Sequence, residues 1–261
     1  MSLKTVLRAL FYNAILGSWY TFSAYKSTIA VTFLAALSSF LTYFFLGSSI
    51  ELQRGIQDYG TQNAVAFMLS GLFLSQLANP FRHNFNLHLN SFYYSFSRPI
   101  SPYLLLIEDW LSIYLKFNVF PVLIYAVAII FSQNLNVRLC SLVVFVILWI
   151  LMNVGLNFLE NGIVYFTKRA EPVKLTFRFI EYVFSGQYFP LTVLPAFLQQ
   201  SVWLLPFSWA YMVWRKVLFQ GLSILSTEYL VYFVASILTL MVGLYFFKKG
   251  YDKIYREGLV L

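Results

Sequence analysis

Long apolar segments separated by short polar connections set the pattern of this chain. A helix of about 20 apolar residues crosses the hydrocarbon core of a bilayer, which is about 30 Å thick. Segments of this kind predict membrane-spanning helices over residues 29–46, 59–81, 110–131, 139–159 and 229–247, with a further helix that begins near Val173. Six crossings predict an all-α, polytopic membrane protein with a single transmembrane domain over residues 1–261.

Three positions inside these segments predict local features of the helices. Pro121 is expected to kink the third span, because proline disturbs the hydrogen bonds of a helix interior. Glu160 is expected to emerge from the membrane where the fourth span ends. Gly71 is interpreted as an ordinary helix-packing position, since it is too far from Gly60 to form a close-packing glycine motif.

Residues 182–214 form an uncharged segment that is too long for one crossing and too short for two. As one helix, its roughly 33 residues would extend about 50 Å at a rise of 1.5 Å per residue. Pro190, Pro195 and Pro206 interrupt it. We therefore predict that the fifth helix reaches the outer leaflet near Phe189 and that short re-entrant helices follow over residues 190–214. Irregular backbone at this depth has to pack in protein or line a wet cavity.

Residues outside the spans predict two surface segments. Residues 1–26 are expected to form an amphipathic helix on the inner membrane surface, because apolar positions recur at helical spacing while Lys4 and Arg8 lie on another face. A frayed tail is the alternative. Residues 82–109 form the longest polar connection before the third span, and a connection of this length usually has structure and a task of its own.

Charged residues near the spans are interpreted as pairs. Lys116 lies on the helical face of Asp109, so an ion pair or snorkelling to the inner interface is favoured over a role in translocation. Arg178 and Glu181 have the spacing of an intrahelical pair.

Positive charge is distributed unevenly between the two predicted sides of the membrane. Most of the 18 Lys and Arg residues lie in the N-terminal segment, in the 82–109 connection, in the connection near residue 168 and in the C-terminal tail, which six crossings place on one side. An excess of Lys and Arg marks the cytoplasmic side. This predicts a plasma-membrane (inner-membrane) protein with both termini in the cytoplasm. The cations assigned to the opposite side are Arg54, Arg138, Arg215 and Lys216.

Composition excludes several classes of protein. With 60% hydrophobic and 11% charged residues, the chain has more apolar surface than a soluble domain of 261 residues can bury. The net charge of +8 does not indicate nucleic-acid binding, because no soluble basic domain is present to contact it. The single Cys140 excludes an internal disulfide. His83 and His88 have no cysteine or acid cluster near them in the sequence, so no metal site is predicted.

Motifs of enzymes are also missing from the sequence. No GxxxxGK phosphate loop occurs, so the chain is not expected to hydrolyse nucleotide, and no pair of aspartates lies inside the spans. We therefore predict no catalytic residues, and any transport would take its energy from a partner or a gradient. A gradient-driven carrier usually has two related interrupted regions, whereas this chain has one.

Several segments resemble one family. The segment SGQYFPLTVLPAFLQQSVWLLPFSW at residues 185–209 resembles the SG-x-x-x-PL-x-x-LP…LPF signature of ABC type-2 permeases, the six-span membrane subunits of ATP-driven exporters. The tail FFKKGYDKIYREG at residues 246–258 is similar to the basic and aromatic run that closes these chains. The segment SFSRPISPYLLLIEDW at residues 95–110 resembles the segment before their third helix.

This resemblance implies roles for several parts of the chain. The N-terminal helix would be a connecting helix at the inner surface, and residues 82–109 would contain a coupling helix that binds a groove of the ATPase. The alternative for its aromatic residues is a position at the membrane interface. Two short helices after the fifth span would form an outer gate. The implied coupling residues are Phe92, Tyr93, Tyr94, Arg98, Pro99 and Ile100, and the implied outer-gate residues are Ser185, Gly186, Pro190, Leu191, Pro195, Pro206 and Phe207.

The resemblance also implies partners. The chain would form a dimer with itself or with a related permease and would bind two cytoplasmic ATPase subunits, which hold ATP and Mg while this chain holds no cofactor. A membrane scaffold without transport activity is the first alternative, and a secondary carrier is the second. Amphiphilic drugs, lipids, peptides and glycans are all compatible substrates.

Overall fold

The computed structural model describes residues 33–42, 56–57, 61, 63–83, 111, 114–132, 134–168 and 170–257. All regular secondary structure in these residues is helical, which confirms the all-α prediction for the described part of the chain. The helices are α1 Phe33–Thr42, α2 Ala64–His83, α3 Val119–Ser132, α4 Leu139–Thr167, α5 Ala170–Phe184, α6 Ala196–Val202, α7 Pro206–Phe219 and α8 Thr227–Glu257, with a π turn at Tyr114–Asn118 and a 3-10 turn at Leu191–Val193.

Among the described helices, α4 and α8 are long and apolar enough to cross a membrane, with mean hydropathy of 2.6 and 2.2 in their most apolar windows. Shorter apolar helices, at Phe33–Thr42, Ala64–Leu77 and Val119–Ser132, overlap the first three predicted spans. Six crossings therefore remain a prediction.

Both long helices continue past the ends that the sequence predicted. Helix α4 ends at Thr167 instead of residue 159, and α8 continues from residue 247 to Glu257. The charged residues at these ends do not stop a helix, because Glu, Lys and Arg all have high helix propensity. Lys168 ends α4 with a left-handed backbone (φ 56°) while its N–H donates to Val164 O at 2.8 Å.

Helices α4 and α8 pack in parallel along glycine pairs. Gly155 lies against the backbone of Gly243, and Gly162 lies against that of Gly250, so that no Cβ fits between the helices at either level. The two glycines of each pair are 88 residues apart in the chain. Tyr229 and Ser141 are also 88 residues apart, and Tyr229 OH donates a hydrogen bond to Ser141 O at 2.7 Å. A constant separation along two helices requires that they run in the same direction and in register. Glycines allow the close backbone approach.

The chain between these two helices returns to the beginning of α4. Helix α5 starts after the end of α4. Helix α7 ends beside the start of α4, where Asn136 N–H donates to Leu218 O at 2.9 Å. Gly221, with φ 63°, packs against Asn136 at the same place. Helices α5 and α7 therefore both run opposite to α4, and α8 then starts level with it.

Helices α2 and α3 pack antiparallel beside this group. At one end Asn63 Nδ2 donates to Ser132 O at 3.1 Å, and at the other Asn118 Nδ2 donates to Gln76 O at 2.8 Å. Both amides satisfy main-chain carbonyls of the neighbouring helix, and they fix the register of the pair.

A π turn, Tyr114–Asn118, directly precedes α3, which contains Pro121 near its start. The kink itself stays a prediction. A proline ring clashes with the carbonyl four residues before it, and here that carbonyl belongs to Phe117 in the π turn. A wider turn gives the ring room.

An aromatic core lies where α4, α7 and α8 meet. The ring of Phe145 is 5.2 Å from that of Trp214 and 5.0 Å from that of Tyr232, measured between centroids. Trp149 meets Tyr211 edge-on at 5.8 Å. Ring pairs at these separations add to the free energy gained by burial. This core holds α7 firmly against the long helix pair.

Two predicted segments fall outside the described residues. These are the N-terminal helix over residues 1–26 and most of the 82–109 connection, including Phe92, Tyr93, Tyr94, Arg98, Pro99 and Ile100. The predicted pairing of Lys116 with Asp109 also lies outside them, because neither side chain is described.

Candidate functional site

The proline-containing segment, residues 185–205, leaves the end of α5 and returns to the same place at the start of α7. It is called the reversal below. Just after α5, Ser185 Oγ accepts a hydrogen bond from Gln187 N–H at 3.0 Å, and Gly186 adopts φ 74°, a conformation that favours glycine. On the return path, Ser208 Oγ in the first turn of α7 donates to Phe184 O at 2.7 Å. The beginning of α7 is thereby fastened to the end of α5.

The three prolines stand at the starts of three short helical elements. Pro190 is the N-cap of the 3-10 turn, Pro195 is the N-cap of α6, and Pro206 is the first residue of α7. A helix does not use its first N–H groups, so proline is tolerated at these positions and its fixed φ favours the turn. The segment is therefore broken at the places where the prolines occur.

Side-chain amides and indoles hold the short elements together. Gln199 Nε2 donates to Thr192 O at 2.9 Å and to Leu194 O at 2.6 Å, which ties α6 to the 3-10 turn. Trp209 Nε1 donates to Trp203 O at 2.7 Å, and the two indole rings lie 5.0 Å apart. These bonds satisfy carbonyls that an irregular backbone would otherwise leave unpaired.

Arg215 is a fully buried cation that joins the reversal to α2. It lies on α7 at 0% exposure, and its guanidinium carbon is 3.6 Å from the centroid of the Phe67 ring. The fork-shaped guanidinium group can satisfy several acceptors at once, as a buried charge requires. Its nitrogens donate to Gly186 O at 2.8 Å, Gln187 O at 2.9 Å, Phe67 O at 3.2 and 3.3 Å, and Ser70 Oγ at 3.3 Å.

Arg215, which the charge pattern assigned to the outer side, is thus buried in the bundle, and its side of the membrane stays a prediction. Helical spacing explains this burial: Phe207, Tyr211 and Arg215 recur every four residues on the buried face of α7. The next residue, Lys216, is partly exposed and pairs with Glu228 at 2.6 Å. Positive charge alone does not distinguish the two neighbours.

Gly71 has a more specific place than ordinary helix packing. A Cβ atom on this residue would collide with Gln187 O and would lie 2.7 Å from Nη2 of Arg215. Glycine thus allows α2 to approach the reversal closely enough for the guanidinium group to bridge them. The earlier interpretation of Gly71 is corrected accordingly.

Gln187 lines the inside of the reversal with its side-chain amide. It is 1% exposed, and its Oε1 accepts a hydrogen bond from Tyr211 OH at 3.2 Å. Its Nε2 is buried and donates to no atom in the described part of the chain. A buried donor without an acceptor is uncommon. The reversal therefore contains one side-chain N–H group that forms no hydrogen bond with the described residues.

A cluster of charged side chains lies between α4, α5 and α7. Glu160, Arg178 and Glu181 line a small cavity there, and the two glutamates are 6% and 5% exposed. Glu160 does not mark the end of the helix, because α4 continues to Thr167, and its side chain is buried in the bundle interior. Arg178 and Glu181 line the same cavity, and the intrahelical pair that their spacing predicts stays a prediction.

The sequence pattern of α4 indicates a polar helix face, which the prediction of an apolar span over residues 139–159 did not include. Asn153, Asn157, Glu160 and Asn161 recur at intervals of three or four within an apolar run. In the structure Asn161 Nδ2 donates to Asn157 O at 2.9 Å and to its Oδ1 at 2.8 Å. Such spacing predicts a helix face that packs against polar groups instead of lipid.

The structure brings most of the implied outer-gate residues into one group. Ser185, Gly186, Pro190, Leu191 and Phe207 are buried, and the Leu191 side chain packs on Gly186, with Cγ 3.2 Å from the place of a Cβ. Pro195 is exposed and Pro206 is partly exposed. The gate function of these residues stays a prediction.

Comparison with models of known protein families found no match to this chain. A search among curated proteins found no similar sequence either.

Proposed function

We propose that this chain is the membrane-spanning permease subunit of an ABC type-2 exporter, in which a separate cytoplasmic ATPase drives substrate export across the plasma membrane. The single observation that carries the proposal is the compact reversal at residues 185–205. The part of the sequence that resembles the family signature folds as short helices after α5, which is the arrangement that the resemblance implies.

A membrane location is supported by the surfaces of the long helices. Only 22% of the most apolar window of α8 is buried, and large apolar side chains such as Phe233, Leu238 and Met241 are exposed. A core helix of a soluble protein would bury most of such a window. Apolar groups outside a bundle are at low free energy only in a lipid environment or against another protein.

The parallel arrangement of α4 and α8 supports one net crossing between them. The chain after α4 returns to the level at which α4 starts. Helix α5, the re-entrant segment and α7 would therefore cross the membrane once together, in the direction opposite to α4. With the predicted crossings before α4, this arrangement leaves both chain termini on the cytoplasmic side, where an ATPase can bind.

The proposed mechanism couples the ATPase to the reversal through rigid helices. Closure of the two ATPase subunits pushes the 82–109 segment, which leads into α3, and the permeases switch access along their shared interface. Arg215 bonds the reversal to α2, so a shift of α2 relative to the long helices also displaces Gly186 and Gln187.

The test is co-purification followed by reconstitution. The tagged chain is isolated in mild detergent from its native membrane, and a bound ABC ATPase is expected whose ATP hydrolysis depends on this chain. Tyr94→Ala and Arg98→Ala should reduce the coupling of hydrolysis to transport about tenfold or more, because a truncated central contact of an interface commonly costs 2 kcal/mol or more.

Arg138→Ala is the matched control, since Arg138 is exposed at the start of α4 and belongs to neither segment. Normal coupling in the Tyr94 and Arg98 variants would remove the assignment of the coupling residues. A chain that never binds an ATPase would overturn the exporter proposal in favour of a scaffold, and transport driven by an ion gradient without ATP would favour a carrier.

A further inference from the structure

The C-terminal part of α8 presents one face of tyrosine and basic side chains. Tyr245 and Tyr255 are 54% and 75% exposed. The opposite side of the helix, with Phe247 and Ile254, is buried, and Phe247 packs against Phe158 of α4 at 5.0 Å between centroids. The exposed face, called the basic face below, consists of Tyr245, Lys248, Lys249, Asp252, Tyr255 and Arg256, with Lys253 at its edge.

The basic face begins where the apolar part of α8 ends. Residues 227–247 contain a single charged side chain, Glu228, and at 1.5 Å per residue they extend about 31 Å, close to the thickness of a hydrocarbon core. Lys248 and Lys249 then follow directly. If α8 crosses the bilayer, as the proposed function requires, these ammonium groups lie at the level of the lipid headgroups, with Tyr245 at the boundary.

The charge of this face is not neutralised within the described residues. Lys248, Lys249 and Arg256 form no ion pair there, and Asp252 is the one acidic side chain described on the face. Lys249 Nζ lies 4.7 Å from the centroid of the Tyr245 ring, and Lys253 Nζ lies 5.5 Å from that of Phe166. Contacts with rings orient an ammonium group but leave its positive charge available.

We propose that the basic face binds the headgroups of anionic phospholipids. Clusters of four or more Lys and Arg residues directly beside a membrane span attract anionic lipids, and each cation adds to the affinity. The tyrosine hydroxyl groups can donate hydrogen bonds to the same phosphates, and their rings suit the interface. The chemistry thus matches a phosphate-bearing bilayer surface with an apolar interior below it.

The test uses the full chain, purified in a neutral detergent and titrated with phosphatidylglycerol or, for comparison, phosphatidylcholine. Binding is measured as the rise in thermal unfolding temperature with added lipid. We expect phosphatidylglycerol to stabilise the wild-type chain more strongly. In the triple variant Lys248→Gln, Lys249→Gln, Arg256→Gln its apparent affinity should fall about tenfold or more. The double variant Lys248→Arg, Lys249→Arg should retain this affinity.

Arg138→Gln is the matched control, because it removes an exposed cation at the opposite end of the long helix pair. An equal affinity for phosphatidylglycerol in the wild type and the triple variant would overturn the proposal, as would an equal loss in Arg138→Gln. If the triple variant keeps its lipid affinity and instead loses a bound protein, the basic face is a protein interface, which also overturns the proposal.

Failure of the underlying membrane assignment gives a different result. A chain that alkaline carbonate extracts from its membranes would contradict the spanning helix itself, and the lipid proposal would fail with it. A chain that resists extraction but does not prefer phosphatidylglycerol would contradict only the lipid proposal.

Discussion

Arg215 illustrates how one side chain can hold an irregular backbone in place. A turn in the interior of a helical bundle leaves carbonyls without helical partners, and each buried unsatisfied polar group costs about 1–3 kcal/mol. The guanidinium group satisfies Gly186 O and Gln187 O on the reversal and Phe67 O on α2. Its five donors in one plane suit this arrangement, whereas a lysine ammonium group is a single point.

We predict that Arg215→Lys lowers the free energy of unfolding by about 2–4 kcal/mol, because the ammonium group leaves at least one of these carbonyls unpaired. Lys216→Gln, one residue further on, is the control. It breaks the partly exposed ion pair with Glu228 and should cost about 1 kcal/mol or less. Thermal unfolding in detergent, followed by tryptophan fluorescence, measures both. Equal effects of the two variants would contradict the role assigned to Arg215.

At the scale of elements, the pairing of α4 with α8 depends on the missing side chains of four glycines. The pairs Gly155 with Gly243 and Gly162 with Gly250 set how closely the backbones approach. Each of these glycines lowers the intrinsic stability of its helix by about 1 kcal/mol relative to alanine. Close packing along the two helices opposes this cost, since shorter separation increases the number of van der Waals contacts.

Gly243→Ala tests whether packing or helix propensity dominates. Propensity alone would stabilise the helix by about 1 kcal/mol. A Cβ on Gly243, however, would collide with Gly155 O, a backbone atom that cannot rotate away. We therefore expect a net destabilisation of about 1–3 kcal/mol, measured as a lower unfolding temperature in detergent.

Leu244→Ala at the next position of α8 is the control for this experiment, because that side chain is 38% exposed. It should change the unfolding temperature much less than Gly243→Ala. A higher unfolding temperature of the Gly243→Ala chain would contradict the prediction, because it would show that the two helices can move apart to accommodate the Cβ atom without losing stability.

At the scale of the whole molecule, the parallel pair places the start of α4 and the end of α8 at opposite ends of the bundle. Asn134, just before α4, and Lys248 near the end of α8 are both exposed. If the pair spans a membrane with the predicted orientation, residue 134 faces the exterior and residue 248 faces the cytoplasm.

Cysteine labelling in intact cells tests this orientation. In a Cys140→Ser background, Asn134→Cys should react with a membrane-impermeant maleimide, whereas Lys248→Cys should react only after permeabilisation. The starting chain is suitable because Cys140 is its only cysteine. Labelling of both positions from the same side would rule out the parallel pair as a spanning unit.

The positions of the helices and of their breaks were predictable from local sequence. The starts of the short elements coincide with Pro190, Pro195 and Pro206, and both long helices contain the predicted apolar segments. Helix ends were less predictable, because Glu160 and Lys248 do not stop a helix and their environment depends on neighbouring helices. The coupling residues were implied by family resemblance and lie outside the described residues.

The sequence by itself determined the helical class, the apolar segments and the prolines at which the backbone turns, since these depend on periodicity and on the covalent chemistry of single residues. Only the tertiary structure decided that Arg215 and Glu160 are buried, that Gly71 accommodates the reversal, and that α4 and α8 run in parallel. Burial and helix partners depend on residues far apart in the chain. Sequence spacing defines a helix face, but packing decides what that face contacts.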